Sequence, residues 1–332
     1  MVLLLAGAAR AEPQAHEHWT MTDLGTLAGP DSPAGSAANA INERGQVAGA
    51  SGPGGTDAYA VRWTGGVIEP LGPQPGPPSV GTAINNAGQV VGYYEPSALR
   101  LPALFEGSQV RALSQAPGFA WGINDHGEVV GRVFSVSKRI AVAFSYLHGT
   151  LRELSTLGGD FSDARGINNR GVIVGSSATT GGGAHAFIYS SGAMRDLGTL
   201  GGPDSSASAI NEVDEVVGSS RIDSTTYNRH AFLYSMHWMQ DLGTLGGASS
   251  GANAINNRGQ IVGSSTTASG AEHAFLYRRG KMLDLNALPE LQGTGWTLVT
   301  ANGINDAGQI VGTGQHNGFT RAFLLTPHPG RR

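Results

Sequence analysis

The chain has no cysteine among its 332 residues. Disulfide bonds, thiolate zinc sites, cysteine-ligated iron–sulfur clusters and cysteine nucleophiles are therefore excluded. The sequence also lacks a G-x-S-x-G elbow in a hydrolase context, a phosphate-binding P-loop, an H-E-x-x-H zinc motif and an EF-hand loop. We therefore predict no metal site and no cofactor, and we assign no catalytic residue.

Charge is scarce as well. Charged residues make up 14% of the chain, against roughly 25% in an average soluble domain. The net charge is −4 and no block of basic residues occurs, so we expect no nucleic-acid partner. No apolar run reaches the ~18 residues of a membrane helix, so we expect no membrane span. We predict a monomer.

The amino terminus has features of an export signal. Residues 2–9 form a short apolar run, and Ala9, Arg10 and Ala11 fit the small-x-small pattern of a cleavage site. The basic segment of such a signal is missing, and a chance apolar stretch is the alternative. We predict that residues 1–11 are the remnant of a signal peptide, that residues 12–20 are a leader, and that the protein is extracellular or periplasmic in a bacterium.

One unit recurs along the whole chain. The dipeptide Ile-Asn recurs at intervals of 39 to 49 residues, and each copy is followed by an apolar pair and a glycine. Its seven copies begin at Ile41, Ile84, Ile123, Ile167, Ile210, Ile255 and Ile304. The asparagine and the glycine predict a tight turn, because the amide can hydrogen-bond the backbone two residues on and glycine adopts positive φ at no steric cost.

Each copy reads as four short strands, with no stretch of helical periodicity. Four strands in about 44 residues are typical of a β-propeller blade. We therefore predict an all-β fold, a single seven-bladed β-propeller over residues 21–326, followed by a tail at 327–332. An open stack of sheets or a β-solenoid is the alternative architecture.

The two ends of the chain indicate how the ring closes. The last copy lacks a fourth strand, whereas residues 21–25 match the fourth-strand segments at 194–198 and 239–243. We predict that this N-terminal strand pairs with the C-terminal blade, which hides edges that would otherwise pair with other chains.

Three successive copies carry the tripeptide His-Ala-Phe, beginning at His185, His230 and His273, and Asp-Leu-Gly-Thr-Leu-Gly-Gly occurs at 196–202 and 241–247. With these motifs the chain resembles the HAF repeat family of probable extracellular bacterial proteins. The resemblance extends from about Asp23 to Leu325, and the histidine is missing from the first three copies. It supports the fold and the location and implies no chemistry.

The main candidate site is the mouth of the axial channel. The position two residues before each repeat isoleucine holds no aliphatic side chain, which suits a wet channel. Its occupants are Asn39, Thr82, Trp121, Arg165, Ser208, Asn253 and Asn302. With Asp163, we predict a ligand-binding site made of Asn39, Trp121, Asp163, Arg165, Asn253 and Asn302, which would bind by stacking and hydrogen bonds. The alternative is an Asp163–Arg165 ion pair in a water-filled channel.

A second set of candidates lies on the face that carries the long, variable loops, where function concentrates. We expect Tyr93 and Tyr94 to be exposed on such a loop. His185, His230 and His273 open the third strand of three successive blades, where they could bind a ligand. The alternative is that each histidine is a repeat residue that hydrogen-bonds within its own blade.

The sequence favours an exported, non-catalytic propeller that binds a small polar ligand or glycan, with carbohydrate as the preferred class, on its long-loop face. A carbohydrate-active enzyme, either a glycosidase or a lyase, with its site at the mouth of the channel is the first alternative. A protein-interaction scaffold is the second.

Overall fold

The computed structural model describes residues 18–29, 32–52 and 58–328. The predicted signal remnant, most of the predicted leader and the end of the predicted tail lie outside these residues. No α-helix occurs in the described ranges, and two short 3₁₀ turns, at Leu285–Ala287 and Pro289–Leu291, are the only helical segments there. No helix in this part of the chain is long and apolar enough to cross a membrane.

The described residues form 28 β-strands. The strand β1 spans His18–Asp23. The first two repeats form β2 (Ser36–Ile41), β3 (Val47–Ser51), β4 (Tyr59–Thr64), β5 (Val67–Pro70), β6 (Ser79–Ile84), β7 (Val90–Tyr94), β8 (Leu101–Glu106) and β9 (Gln109–Ala112). The next two form β10 (Gly118–Ile123), β11 (Val129–Ser135), β12 (Ile140–Leu147), β13 (Thr150–Glu153), β14 (Gly158–Ile167), β15 (Ile173–Thr179), β16 (Ala184–Ser190) and β17 (Ala193–Asp196). The last three form β18 (Ser205–Ile210), β19 (Val216–Arg221), β20 (Arg229–Ser235), β21 (Trp238–Asp241), β22 (Gly246–Ile255), β23 (Ile261–Thr267), β24 (Glu272–Arg278), β25 (Lys281–Asp284), β26 (Trp296–Ile304), β27 (Ile310–His316) and β28 (Phe319–His328).

These strands build a β-propeller of antiparallel four-stranded units, as the sequence predicts. Five sheets of the described chain have four strands each, and the strands β10 to β17 form one eight-stranded sheet. The number of separate four-stranded sheets is therefore five, where the sequence predicts seven blades. The two halves of the large sheet are joined by a single parallel residue pair, Ala141 with Phe161.

The N-terminal strand completes the last sheet. Strand β1 pairs with β28 over six residue pairs, with Met21 opposite Leu325. Trp19 is buried in the core of that sheet, and the indole Nε1 of Trp63 donates to the Leu24 carbonyl over 2.7 Å. Strand β1 begins at His18, so the pairing includes the end of the segment that the sequence assigns to a leader.

The core lies between neighbouring sheets. The phenylalanine of each His-Ala-Phe segment is fully buried, and so is its counterpart Phe323 in the last sheet. In most repeats, the inner strand supplies a serine hydroxyl that accepts a hydrogen bond from the third-strand alanine N–H of the preceding repeat, for example Ser205 from Ala186 over 2.8 Å. The same bond joins Ser79 to Ala60, Ser162 to Ala143, Ser250 to Ala231 and Ser36 to Ala322.

A closed ring of asparagines surrounds the axis at the turns between first and second strands. The Nδ2 atom of each repeat asparagine donates to the backbone carbonyl of the next one, and the last donates to the first. The bonds run from Asn42 to Asn85, Asn124, Asn168, Asn211, Asn256, Asn305 and back to Asn42, over 2.9 to 3.2 Å. In six of the seven turns the asparagine Oδ1 also accepts the N–H groups two and four residues on, as in Asn256. In the seventh, Asn305 Oδ1 accepts the N–H group of Gln309. The repeat asparagine therefore both shapes its own turn and ties it to the next repeat.

Candidate functional site

Every inner strand contains a β-bulge at the same repeat position. In the pairing of the first strand with the second, one residue of the first strand is skipped and has no partner on the second strand. Such a bulge changes the direction in which the side chain of the skipped residue points. The bulged residues are Asn39, Thr82, Trp121, Arg165, Ser208, Asn253 and Asn302. They are the position that the sequence assigns to the channel mouth.

All seven bulged residues line one cavity of about 720 Å³, a volume in the range of small-molecule sites. Its wall also includes Tyr93, near the end of β7, and Arg100, in the loop that follows β7. The cavity therefore opens on the face of the long loops, opposite the asparagine ring. Of the predicted site residues, Asn39, Trp121, Arg165, Asn253 and Asn302 line it, whereas Asp163 does not.

The common occupants of the bulge tie adjacent inner strands together. Asn39 Nδ2 donates to the Gly81 carbonyl over 2.8 Å. Asn302 donates in the same way to Ala38 over 2.9 Å, Asn253 to Ala301 over 3.0 Å, and the Thr82 hydroxyl to Ala120 over 2.7 Å. Because these donors are occupied within the protein, this half of the mouth is structural.

The second, third and fourth repeats depart from the pattern, and the departures meet on one side of the mouth. The position four residues before the repeat isoleucine holds Phe119 in the third copy and Asp163 in the fourth. The position after the second-strand glycine holds Tyr93 and Arg132, where the other copies have Ala50, Ser176, Ser219, Ser264 and Thr313. We call Tyr93, Phe119, Trp121, Arg132, Asp163 and Arg165 the asymmetric wall. Phe119 and Arg132 were not predicted, and comparing the repeats at these two further positions is the signal that identifies them.

The aromatic rings of the asymmetric wall are stacked and covered by arginines. The rings of Phe119 and Trp121 are nearly parallel, with centroids 5.0 Å apart. The Arg165 guanidinium lies 4.4 Å from the Trp121 ring centroid, and that of Arg132 lies 5.2 Å from Phe119. Tyr93 meets Phe119 edge to face. The Trp121 ring, which we expect to stack on a ligand, therefore already packs against Phe119 and Arg165.

A buried carboxylate holds the two arginines. Asp163 is 1% exposed, its Oδ2 lies 2.9 Å from Arg165 Nη2 and 3.8 Å from Arg132 Nη1, and its Oδ1 and the Trp121 Nε1 have no hydrogen-bond partner in the structure. Burial raises the pKa of Asp163, and the two guanidinium groups oppose that rise. Within the asymmetric wall, Asp163 therefore lies behind the two arginines as their counter-ion, which matches the Asp163–Arg165 ion pair that the sequence left open as an alternative.

The structure places the side chains of Tyr93 and Tyr94, the two tyrosines predicted on the long-loop face, on opposite faces of one strand. Both residues belong to strand β7 and are half-buried, so the prediction that they are exposed on a loop is wrong. Successive strand residues point to opposite faces: Tyr93 lines the cavity, whereas Tyr94 packs against the core between the first two repeats.

The three predicted loop-face histidines each bind an aspartate of the adjacent outer strand. The Nδ1 atoms of His185, His230 and His273 lie 2.7, 2.8 and 2.7 Å from Asp196, Asp241 and Asp284. Each aspartate also accepts a backbone N–H two residues on, as Asp241 does from Gly243. None of the three lines the cavity, and the described residues contain no cluster of histidine and acidic side chains suited to a metal. The geometry matches the structural alternative for these residues.

A family model described as a protein of unknown function (DUF3466) matches residues 203–322, less than half of the chain. No curated protein matches the sequence. In fold the chain is similar to TolB from Acinetobacter baumannii (TM-score 0.46, 10% identity, over 73% of this chain and 64% of that one), so it spans less than two thirds of TolB. It is also similar to XC5397 from Xanthomonas campestris, described as a gluconolactonase (0.46, 11%, 93% and 90%), and to the β-propeller domain of the Trilobed protease from Pyrococcus furiosus (0.45, 10%, 90% and 86%). Likeness at this level carries no argument about function.

Proposed function

We propose that this protein is a binding propeller that takes a polar ligand, of the carbohydrate class, in the cavity at the long-loop mouth of its axis. One observation carries the proposal: substitutions that break the repeat pattern in three successive copies converge on a single wall of that cavity. A repeat selected only for its fold has no reason to replace small polar residues by two arginines, a tryptophan and a phenylalanine at facing positions.

The chemistry of the wall suits hydrogen bonding to hydroxyl and carboxyl oxygens. Arg132 and Arg165 each carry five N–H donors, and in the described structure their only polar side-chain partner is Asp163. Ser206 and Ser208 line the same cavity and add two hydroxyl groups. Convergent donors beside aromatic rings are typical of a site that orients a polar small molecule.

Binding is favoured over glycoside hydrolysis by the absence of an acid pair. No aspartate or glutamate is among the cavity-lining side chains within the described ranges. Glycosidases need two carboxyl groups about 5 to 9.5 Å apart that reach the scissile bond. Asp163 is buried behind Arg165 and is one carboxyl only.

The proposal is tested by restoring the repeat pattern. Purified protein is applied to an array of glycans, together with the variants Trp121→Asn and Arg165→Asn, which place the commonest bulge residue in the wall. Asn302→Ser, an exchange between two bulge residues of the repeat in the structural half of the mouth, is the matched control. We expect the wild type and Asn302→Ser to bind the same glycans and the two wall variants to lose that binding. Absence of any glycan binding, or equal binding by the wall variants, would contradict the proposal, and release of reducing sugar would favour the enzyme.

We further propose that the propeller has seven blades, with the eight-stranded sheet counted as two. The seven-membered asparagine ring supports this count, and so does the single residue pair that joins the halves of that sheet. A crystal structure that shows backbone hydrogen bonds along the whole length of β12 and β14 would contradict it.

We also propose that the protein is an exported, monomeric member of the HAF repeat family. The three His-Ala-Phe segments and the apolar start of the chain support this proposal. Expression of the full chain in a bacterium, followed by N-terminal sequencing of the secreted form and light scattering, tests it. Cleavage after Ala11 and a single-chain mass below the 34.2 kDa of the uncleaved chain are expected, whereas retention of the uncleaved chain in the cytoplasm or a dimer mass would contradict the proposal.

A further inference from the structure

A second cavity adjoins the one at the mouth. It has a volume of about 530 Å³ and shares Arg100, Phe119 and Arg132 with the axial cavity. It is also lined by Leu99 and Phe134, whose side chains are 50% and 43% exposed. We call the two adjoining cavities the groove; arginines line its inner part and apolar side chains its outer part.

The charge of this groove is positive. Arg100, Arg132 and Arg165 line it, and its acidic partners are Glu95, which pairs with Arg100 over 2.7 Å, and the buried Asp163. Two acids for three guanidinium groups leave one positive charge uncompensated. Guanidinium groups bind carboxylates through paired, charge-assisted hydrogen bonds, which are about twice as strong as neutral ones.

We propose that the ligand of this groove is an acidic oligosaccharide that binds Arg132 and Arg165 through a carboxylate and whose chain continues into the second cavity. The inference rests on the proposed function and names its substrate class. This one carboxylate completes the charge balance of the asymmetric wall, and the outer sugar places its apolar face against Leu99 and Phe134. A neutral glycan leaves the excess charge unpaired, and a single sugar leaves the outer cavity unfilled.

The test compares acidic glycans with their own neutral forms by calorimetric titration of the full chain. The probes are short oligomers of galacturonate, of glucuronate and of N-acetylneuraminate, each with its carboxyl-reduced counterpart and its monosaccharide. We expect at least one acidic oligomer to bind about tenfold or more tightly than its reduced form, the effect of one charge-assisted hydrogen bond, and more tightly than its monosaccharide.

Two variants separate charge from length. The first variant combines Arg132→Gln, Asp163→Gln and Arg165→Gln. Removing all three charges together avoids leaving the buried Asp163 carboxylate without a partner, and the preference for the acidic oligomer should disappear. Arg195→Gln, an arginine on the outer strand β17 that lies over the Tyr234 ring, is the control and should keep it. Phe134→Ser should abolish the advantage of the oligomer over the monosaccharide.

The outcomes are distinguishable. Equal affinity for acidic and reduced oligomers would overturn the inference and leave the proposed function standing. An advantage of acidic oligomers that survives in the triple glutamine variant would also overturn it. Absence of binding by every acidic and neutral glycan would overturn both.

Discussion

The asparagine ring yields the sharpest stability prediction. Asn256 is 4% exposed and makes four hydrogen bonds: Nδ2 donates to Gln260 Oε1 and to the Asn305 carbonyl over 2.8 and 2.9 Å, and Oδ1 accepts from the N–H groups of Arg258 and Gln260 over 3.1 and 3.0 Å. At about 1 kcal/mol for each net bond, Asn256→Ala should lower the free energy of unfolding by about 3–4 kcal/mol. The upper value applies if no water molecule takes the place of the Asn256 amide and bonds the groups that it leaves behind.

The neighbouring residue is a control on the same turn. Asn257 makes two exposed bonds, from its Nδ2 to Asp306 and from the Glu212 N–H to its Oδ1, so Asn257→Ala should cost less than about 1 kcal/mol. Urea denaturation followed by tryptophan fluorescence measures both. If the two substitutions cost the same, the ring does not stabilise the propeller as we describe.

Three further predictions concern closure, pH and the histidines. Deletion of residues 18–25 removes strand β1 and exposes the edge of β28. The melting temperature should fall by about 10 °C or more, since each kcal/mol of lost unfolding free energy lowers it by about 2 °C. A deletion variant that melts no earlier than the intact chain would refute closure by this strand. Partial desolvation of the Glu43 carboxylate, together with the nearby Asp306 charge, raises the pKa of Glu43 although the residue is exposed. Its ionisation therefore costs stability as the pH rises through that pKa. Glu43→Gln should stabilise the protein at pH 7 by about a few tenths of a kcal/mol, because solvent screens an exposed group, and should give no gain below about pH 4. Melting curves that show no such difference between pH 4 and pH 7 would refute this sign. His230→Ala removes the hydrogen bond to Asp241 and should lower the free energy of unfolding by about 1 kcal/mol while leaving the glycan affinity unchanged. A loss of glycan affinity in this variant would show that the histidines take part in binding.

The repeat itself made most of the fold predictable. The Ile-Asn copies give the strand order, and the match between residues 21–25 and two fourth strands gives the pairing of β1 with β28. The joining of two repeats into one eight-stranded sheet could not be predicted, because it depends on a local contact of Ala141 with Phe161 that no repeat motif encodes.

The sequence predicted which repeat position lines the cavity better than it predicted what each wall residue does there. Residues two before each isoleucine line the cavity because a bulge re-aims each of them, and the sequence marks that position by its lack of aliphatic side chains. The burial of Asp163 was not predictable, because the equivalent residues Phe119 and Ser206 line the cavity, whereas Asp163 pairs with Arg165 and with Arg132 of the preceding repeat. Arg132 lies opposite Phe119 in the hairpin of the first two strands, and the bulge at Trp121 shifts that register by one residue, so the pair is found only when the bulge is known.

The central claim is that the asymmetric wall binds the ligand and that the rest of the mouth is scaffold. The most direct measurement is the dissociation constant of the tightest acidic oligosaccharide for a variant that carries typical repeat residues throughout the wall. Its substitutions are Tyr93→Ser, Phe119→Ser, Trp121→Asn, Arg132→Ser, Asp163→Ser and Arg165→Asn. We predict a folded propeller, judged by a cooperative melting transition, with no detectable binding. A folded variant that binds with the affinity of the wild type would contradict the account.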